Sequence, residues 1–246
     1  MSIELLNMNC MEYMATLPDK AFDLAIVDPP YGIGMDGAAM SNRASNSPKF
    51  MGYKGKVYSG NGWDEKPMPL EYFMELARVS KHQIVWGANH FVQNIPNANS
   101  SSWIVWYKNG QNPQSTNADC ELARTSHKTA VRYFRYDWSG FGAVNSGEDK
   151  IHPTQKPVKL YEWLLTNYAK PGQRILDTHL GSGSSAIAAH NLGFDFVGME
   201  LDKDYYDAAC KRFEQHKAQG SLFVPDTPRD AYEQTDFLAS AQGCGA

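Results

Sequence analysis

Phe22 to Val27 (FDLAIV) is apolar at nearly every position and runs into Asp28-Pro29-Pro30, where neither proline can donate to a sheet ladder. The pattern predicts a strand ending in a sharp loop. From Gly32 to Pro69 the chain is rich in Gly, Ser, Asn and Met with little periodicity, too long for an ordinary connector, and predicts a functional or mobile loop. Leu70 to Val79 has helical spacing, while Gln83–Gly87, Ser102–Tyr107, Cys120–Ala123 and Ala130–Phe134 read as strands, with a polar loop from Asn109 to Thr116. Val158 to Ala169 is amphipathic and predicts a helix stopped by Pro171-Gly172. A compact strand–helix–strand unit follows: strand Arg174–Leu176, loop Gly181-Ser182-Gly183, helix Ser184–Leu192, strand Phe194–Met199 and helix Lys203–Gln215. Strands alternating with helices over the whole length predict an α/β fold, a mostly parallel sheet with helices on both faces. After Gly220 the chain turns polar, so residues 221–246 read as a tail, either a loosely docked helix or disorder.

Composition narrows this picture. A chain of 246 residues, 42% hydrophobic, supports one full-sized core, so residues 1–220 are expected to be one domain with elaborations. A formal net charge of −4 excludes a protein that coats nucleic acid by bulk basicity; any nucleic-acid surface must be local. The start MSIELLNMNC lacks the pattern of a secretory signal, and no segment approaches the roughly 20 apolar residues of a membrane span, which predicts a cytoplasmic protein that does not engage a membrane. Cys10, Cys120, Cys210 and Cys244 are scattered singly, with no spacing for a metal site or redox dithiol.

Two loops carry candidate chemistry. Asp177 to Ser185 (DTHLGSGSS) lies at a strand end, where ligands of open α/β sheets bind, and its glycines allow close backbone approach. Glu200, after the next strand, can accept hydrogen bonds from both hydroxyls of an adenosine ribose. NAD, FAD and S-adenosylmethionine all suit that geometry, and a plain strand-to-helix turn needs the same glycines. Ala186 stands where a dinucleotide site prefers its third glycine, which leans toward S-adenosylmethionine, a ligand with no phosphate to cradle. The other loop, Asp28-Pro29-Pro30-Tyr31, suits activation of an exocyclic amino group, whose lone pair is delocalised into its ring. The Asp28 carboxylate and Pro29 carbonyl can accept the amino hydrogens, Pro30 adds rigidity, and Tyr31 can stack on an extruded base. Base–aromatic stacking of about 1–3 kcal/mol offsets much of the cost of flipping. A proline turn that merely ends a strand gives the same four residues.

In combination, and over roughly Ile3 to Phe213, the chain resembles the β-class amino-methyltransferases of DNA, the circularly permuted group with its catalytic half (here residues 1–150) before its cofactor half (151–220). His152-Pro153-Thr154-Gln155-Lys156-Pro157 matches the segment that precedes the cofactor unit in that group. The resemblance implies a Rossmann-like methyltransferase domain that binds S-adenosylmethionine and methylates N6 of a flipped adenine by direct displacement, with cytosine N4 or a silent DNA-binding subunit as alternatives. Asp28, where relatives acting on cytosine more often carry Ser, leans toward adenine. It further implies cofactor contacts from Asn9, Cys10, Asp28, Asp177, His179, Leu180, Gly181, Ser182, Gly183, Ser184, Glu200 and Leu201, with Thr154 and Lys156 at the methionine end. Two positions depart from the group: Asn9 stands where it carries Asp, and His179 where it carries an aromatic residue.

Two basic clusters flank the catalytic half. Arg43, Lys49, Lys54 and Lys56 lie among aromatics within the 32–69 loop, and Arg124, Lys128, Arg132 and Arg135 surround Tyr133, Phe134 and Tyr136. Charge interleaved with aromatics suits phosphate anchoring beside base stacking, so both are expected to contact DNA, with the 32–69 loop as a DNA-contacting insertion. A second copy of the chain and a restriction enzyme are the further partners such an enzyme would take.

Overall fold

The computed structural model describes residues 1–34, 64–96, 101–108, 118–138, 148 and 150–220. Eight strands, β1 (Ile3–Asn7), β2 (Phe22–Val27), β3 (Ser80–Trp86), β4 (Trp103–Tyr107), β5 (Cys120–Thr125), β6 (Arg132–Arg135), β7 (Arg174–Asp177) and β8 (Asp195–Glu200), form one sheet in the order β1-β8-β7-β2-β3-β5-β4-β6. Among these, β5 alone runs against its neighbours; every other pairing is parallel. Among the described residues, five α-helices accompany them: α1 (Cys10–Ala15), α2 (Leu70–Val79), α3 (Val158–Tyr168), α4 (Ser184–Leu192) and α5 (Lys203–Gly220).

The near-continuous hydrophobicity of β2 has a direct cause. Leu24 and Ile26 join the core formed with α3, α4 and α5, whereas Ala25 and Val27 join that formed with α1 and α2. A strand covered on both faces has no polar side to display. Helix α3 starts after Pro157, which leaves the first backbone N–H groups exposed, and the Glu148 carboxylate accepts from Val158 N at 3.1 Å in place of a local cap.

The sequence reading missed β1 and α1. β1 is a half-buried edge strand whose five residues show no clean alternation, and it exists because the open edge of β8 accepts it, from Ile3 opposite Phe196 to Asn7 opposite Glu200. α1 is six residues long and is held by Asn9, whose Oδ1 accepts from Met11 N at 2.8 Å. β3 begins at Ser80 rather than Gln83, directly off the end of α2, and α5 runs on to Gly220; the other bounds shift by a residue or two. The polar loop 109–116, most of the 32–69 loop and the 221–246 tail lie outside the described residues.

The order of strands positions the site. From β7 the chain passes through α4 to β8 on one side, and from β2 through α2 to β3 on the other. The carboxyl ends of β7 and β2 therefore face each other across a topological switch point, where open α/β sheets leave a crevice.

Candidate active site

That crevice holds a cavity of about 560 Å³, within the range of small-molecule sites. Its wall contains the segments that follow four parallel strands: Asn9 and Cys10 after β1, Asp28 and Pro30 after β2, Leu180 to Ser182 after β7, and Glu200 and Leu201 at the end of β8. His152, Thr154 and Lys156 close it from the segment entering α3. Positions separated by more than a hundred residues thus meet in one volume.

The glycine loop is built by carboxylates. Glu200 Oε2 accepts from Gly181 N at 2.9 Å and Oε1 from Asp202 N at 3.0 Å, which fixes the loop against the end of β8. Each carboxylate oxygen retains a lone pair for a ligand hydroxyl. Gly181 and Gly183 have φ of +52° and +75°, a conformation that side-chain-bearing residues rarely adopt. Burial raises the Glu200 carboxyl, opposed by these backbone bonds. Asp177 accepts from Ser185 Oγ at 2.6 Å and His179 N at 3.0 Å, and burial lifts its carboxyl to about 7.

Asp177, Gly183 and Ser184, expected to touch the cofactor, stand behind the cavity wall instead. The Asp177 carboxylate braces the loop from behind through Ser185 and His179 N, Gly183 packs toward Ala209, and Ser184 Oγ accepts from Arg212 at 2.9 Å. Arg212 also bonds Ser182 O at 2.9 Å and Glu148 at 2.7 Å, tying the glycine loop to α5. His179 lines the cavity edge-on to Tyr72, its Nδ1 2.9 Å from Thr178 Oγ1, and burial holds its imidazole neutral with a pKa of about 4. Asn9 lines the cavity while its Oδ1 caps α1.

In the catalytic loop, Asp28 Oδ1 accepts from the Tyr31 hydroxyl at 2.6 Å and Oδ2 from Lys156 Nζ at 2.5 Å. Lys156 Nζ also lies 3.2 Å from Tyr31 Oη, to which it donates, and 3.0 Å from Glu121 Oε2, with which it forms an ion pair. The Lys156 side chain is 3% exposed. Lys156 was expected at the methionine end of a cofactor; the geometry commits its charge to Asp28 and Glu121. Burial pushes the Asp28 carboxyl up, and Lys156 opposes it. Tyr31 lies parallel to His90 with ring centroids 5.1 Å apart, and its ring occupies the space a Cβ on Gly87 would take. Asp28 and Pro30 reach the cavity, whereas Pro29 and Tyr31 lie outside its lining.

Sequence reasoning missed Glu121, an acid within a strand it read only as a strand. It also missed His152 and Tyr205, which pack edge-to-face at 4.4 Å in the cavity wall. His152 sits inside the HPTQKP match and could have been found there.

Of the expected DNA contacts, Arg43, Lys49, Lys54 and Lys56 lie outside the described residues. Lys128, Arg132 and Arg135 are exposed, Arg135 near Asp137 and the Tyr107 ring. Arg124 is not placed for phosphate: it is 7% exposed and its Nη1 donates to Ser102 O at 3.0 Å inside the sheet. Ala123, Arg124 and Thr125 are all buried, so this end of β5 is covered on both faces, which charge counting ignores.

Residues 79–211, more than half of the chain, match the DNA methylase family N6_N4_Mtase. The Type II methyltransferase M.HinfI of Haemophilus influenzae is 25% identical over 279 residues, covering 95% of this chain and 77% of the relative. The Type II methyltransferase M2.DpnII of Streptococcus pneumoniae is 26% identical over 247 residues, covering 85% and 89%. Among solved structures, the M1.HpyAVI–SAM complex superposes with a TM-score of 0.53 at 21% identity, covering 85% of this chain and 98% of that one. The cytosine-N4-specific PvuII DNA methyltransferase does so with 0.54 at 11% identity, covering 89% and 91%. At such identities these structures speak to the fold.

Proposed function

Since the chain belongs to the DNA methylase family, we propose that it transfers a methyl group from S-adenosylmethionine to the exocyclic amino group of a base turned out of DNA, N6 of adenine. The observation that carries the reading is the meeting of Asp28 and Pro30, from the Asp28-Pro29-Pro30-Tyr31 loop, with the glycine loop and Glu200 around one cavity at the switch point. S-adenosylmethionine, when bound, supplies a methyl group on a sulfonium, activated toward nucleophiles. The residues present fit it: Glu200 keeps lone pairs for ribose hydroxyls, the backbone of Leu180 to Ser182 allows close approach, and Met8, Cys10 and Leu201 give an apolar lining.

The chain's own residues do the rest. An amino group conjugated to its ring becomes nucleophilic when its hydrogens are drawn out of the ring plane. Asp28 has one lone pair on each oxygen beyond those engaged by Tyr31 and Lys156, and these accept those hydrogens. Lys156 holds the carboxylate so that it need not reorganise as charge develops. The nitrogen gains a methyl and loses one proton; Asp28, raised by burial, is the acceptor at hand. No covalent bond to the protein is required. Asp28 at the first loop position favours adenine over cytosine, the second reading, because similar enzymes acting on cytosine N4 more often carry Ser there. Arg132 and Arg135, exposed beside Tyr133, are the described residues suited to anchor the DNA backbone.

Incubating the protein with methyl-labelled S-adenosylmethionine and unmethylated DNA, then digesting and identifying the labelled nucleoside, tests this directly. N6-methyladenine is the expected product; N4-methylcytosine moves the target to the second reading, and no label in DNA refutes the activity.

A further inference from the structure

β5 is the strand at which the sheet reverses, lying antiparallel to both β3 and β4. Its beginning, not its end, therefore lies at the edge where β2, β7 and β8 deliver their loops. Cys120 pairs with Tyr107, the last residue of β4, and Glu121 with Trp106. An acid at the second position of an antiparallel strand is thereby brought to the catalytic edge, opposite a lysine from the segment entering α3.

The result is a cluster of alternating charge whose central Lys156 is buried. Lys108 pairs with Glu121 Oε1, Glu121 Oε2 lies 3.0 Å from Lys156 Nζ, and Lys156 Nζ lies 2.5 Å from Asp28 Oδ2. The Lys156 ammonium also sits 5.5 Å from the Trp86 ring centroid and 5.7 Å from that of Tyr31, which fixes it from the apolar side. Although burial pushes the Glu121 carboxyl up, Lys156 and Lys108 outweigh it and hold it near 2, ionised throughout the neutral range.

Charge balance gives Glu121 its role. A lysine facing Asp28 alone would neutralise the carboxylate that must accept the amino hydrogens, and would hold it as a closed ion pair. A second carboxylate on the same ammonium divides the attraction, so Asp28 is held in place but keeps negative charge for the target. We propose that Glu121 is a positioning residue for methyl transfer, acting through Lys156 to set the orientation and available charge of Asp28. This inference rests on the proposed role of Asp28 in amino-group activation.

The test uses the full chain, with single-turnover methyl transfer to unmethylated DNA, DNA titrations for KM and equilibrium binding of S-adenosylmethionine. E121Q, which preserves shape and removes charge, is expected to lower kcat by about 10–100-fold, the scale for a partner one contact removed from a reacting centre. KM for DNA and cofactor affinity should stay within about threefold, since Glu121 does not line the cavity. In a K156Q background the further change E121Q should leave the rate unaltered, because the path through Lys156 is already cut. That pair decides the matter even if E121Q alone folds poorly. A wild-type kcat in E121Q, or a further loss in K156Q/E121Q beyond K156Q, overturns the inference. Failure of the wild-type chain to label DNA would instead overturn the activity on which it rests.

Discussion

Gly87 offers a severe test of whether Tyr31 and Asp28 work as a unit. It precedes a short 3-10 turn (Ala88–His90) with φ +66°, and its own N–H donates to Leu122 O at 2.9 Å, a bond alanine would keep. A Cβ added there would sit 2.1 Å from Tyr31 Cε1, 2.4 Å from Cζ and 2.5 Å from Cδ1, where ordinary contact begins at 3.4 Å. The ring would have to retreat by about 1.3 Å, the difference between those two distances. Such a retreat pulls the hydroxyl out of its 2.6 Å bond to Asp28 and breaks the stack on His90. Gly87→Ala is thus expected to destabilise the fold by about 2–5 kcal/mol, combining the left-handed backbone penalty with overpacking. It should lower kcat by up to about 100-fold, the scale for misplacing a reacting group by 1 Å. Gly172→Ala is the control: φ is +82°, but nothing lies within 4 Å of its Cβ, so only about 1–2 kcal/mol of stability should go and kcat should hold. Denaturant midpoints and single-turnover rates for both variants provide the comparison. A Gly87→Ala enzyme with wild-type kcat would show that the position of Tyr31 does not matter to the chemistry.

Other expectations follow from the same geometry. Asp28→Ala should abolish transfer yet leave S-adenosylmethionine affinity nearly intact; loss of cofactor binding with retained DNA binding would refute the assignment. Glu200→Gln should weaken cofactor binding by tenfold or more, about 1.4 kcal/mol, in equilibrium titration, with a smaller effect on the rate at saturation. Asp177 binds a proton more tightly folded, with a pKa of about 7, than unfolded near 3.8, so the native state holds more protons between these values and stability falls as pH rises through that window. Asp177→Asn should flatten this decline, worth a few kcal/mol, in denaturation series from pH 4 to 8; an unchanged slope would show that other carboxyls govern it. Arg132→Ala should weaken DNA binding and reduce the salt slope by about one, whereas Arg124→Ala should cost about 1–3 kcal/mol of stability with the salt slope unchanged.

The sequence by itself was enough for the α/β class, for most of the elements and for both loops of the site. Strands covered on both faces leave near-continuous apolar runs, helices leave a 3.6-residue rhythm, and the prolines of Asp28-Pro29-Pro30 and the glycines at 181 and 183 act locally, within a few residues of themselves. The position of Asp28-Pro29-Pro30-Tyr31 ahead of HPTQKP and the glycine loop is what resembles the permuted order. Other features depended on contacts across the chain. β1 forms because β8 offers it an edge, and Arg124 is buried because both faces of its end of β5 are covered. Asp177 stands behind the cavity wall, bonded to Ser185 and His179 N within its own loop. Lys156 turns to Asp28 because β5, running against the sheet, brings Glu121 to its other side. Side-chain identity and spacing can nominate a charged residue, but whether its charge meets a ligand, a phosphate or another side chain is decided by which distant strand end lies within about 3 Å of it, and only the tertiary structure sets that.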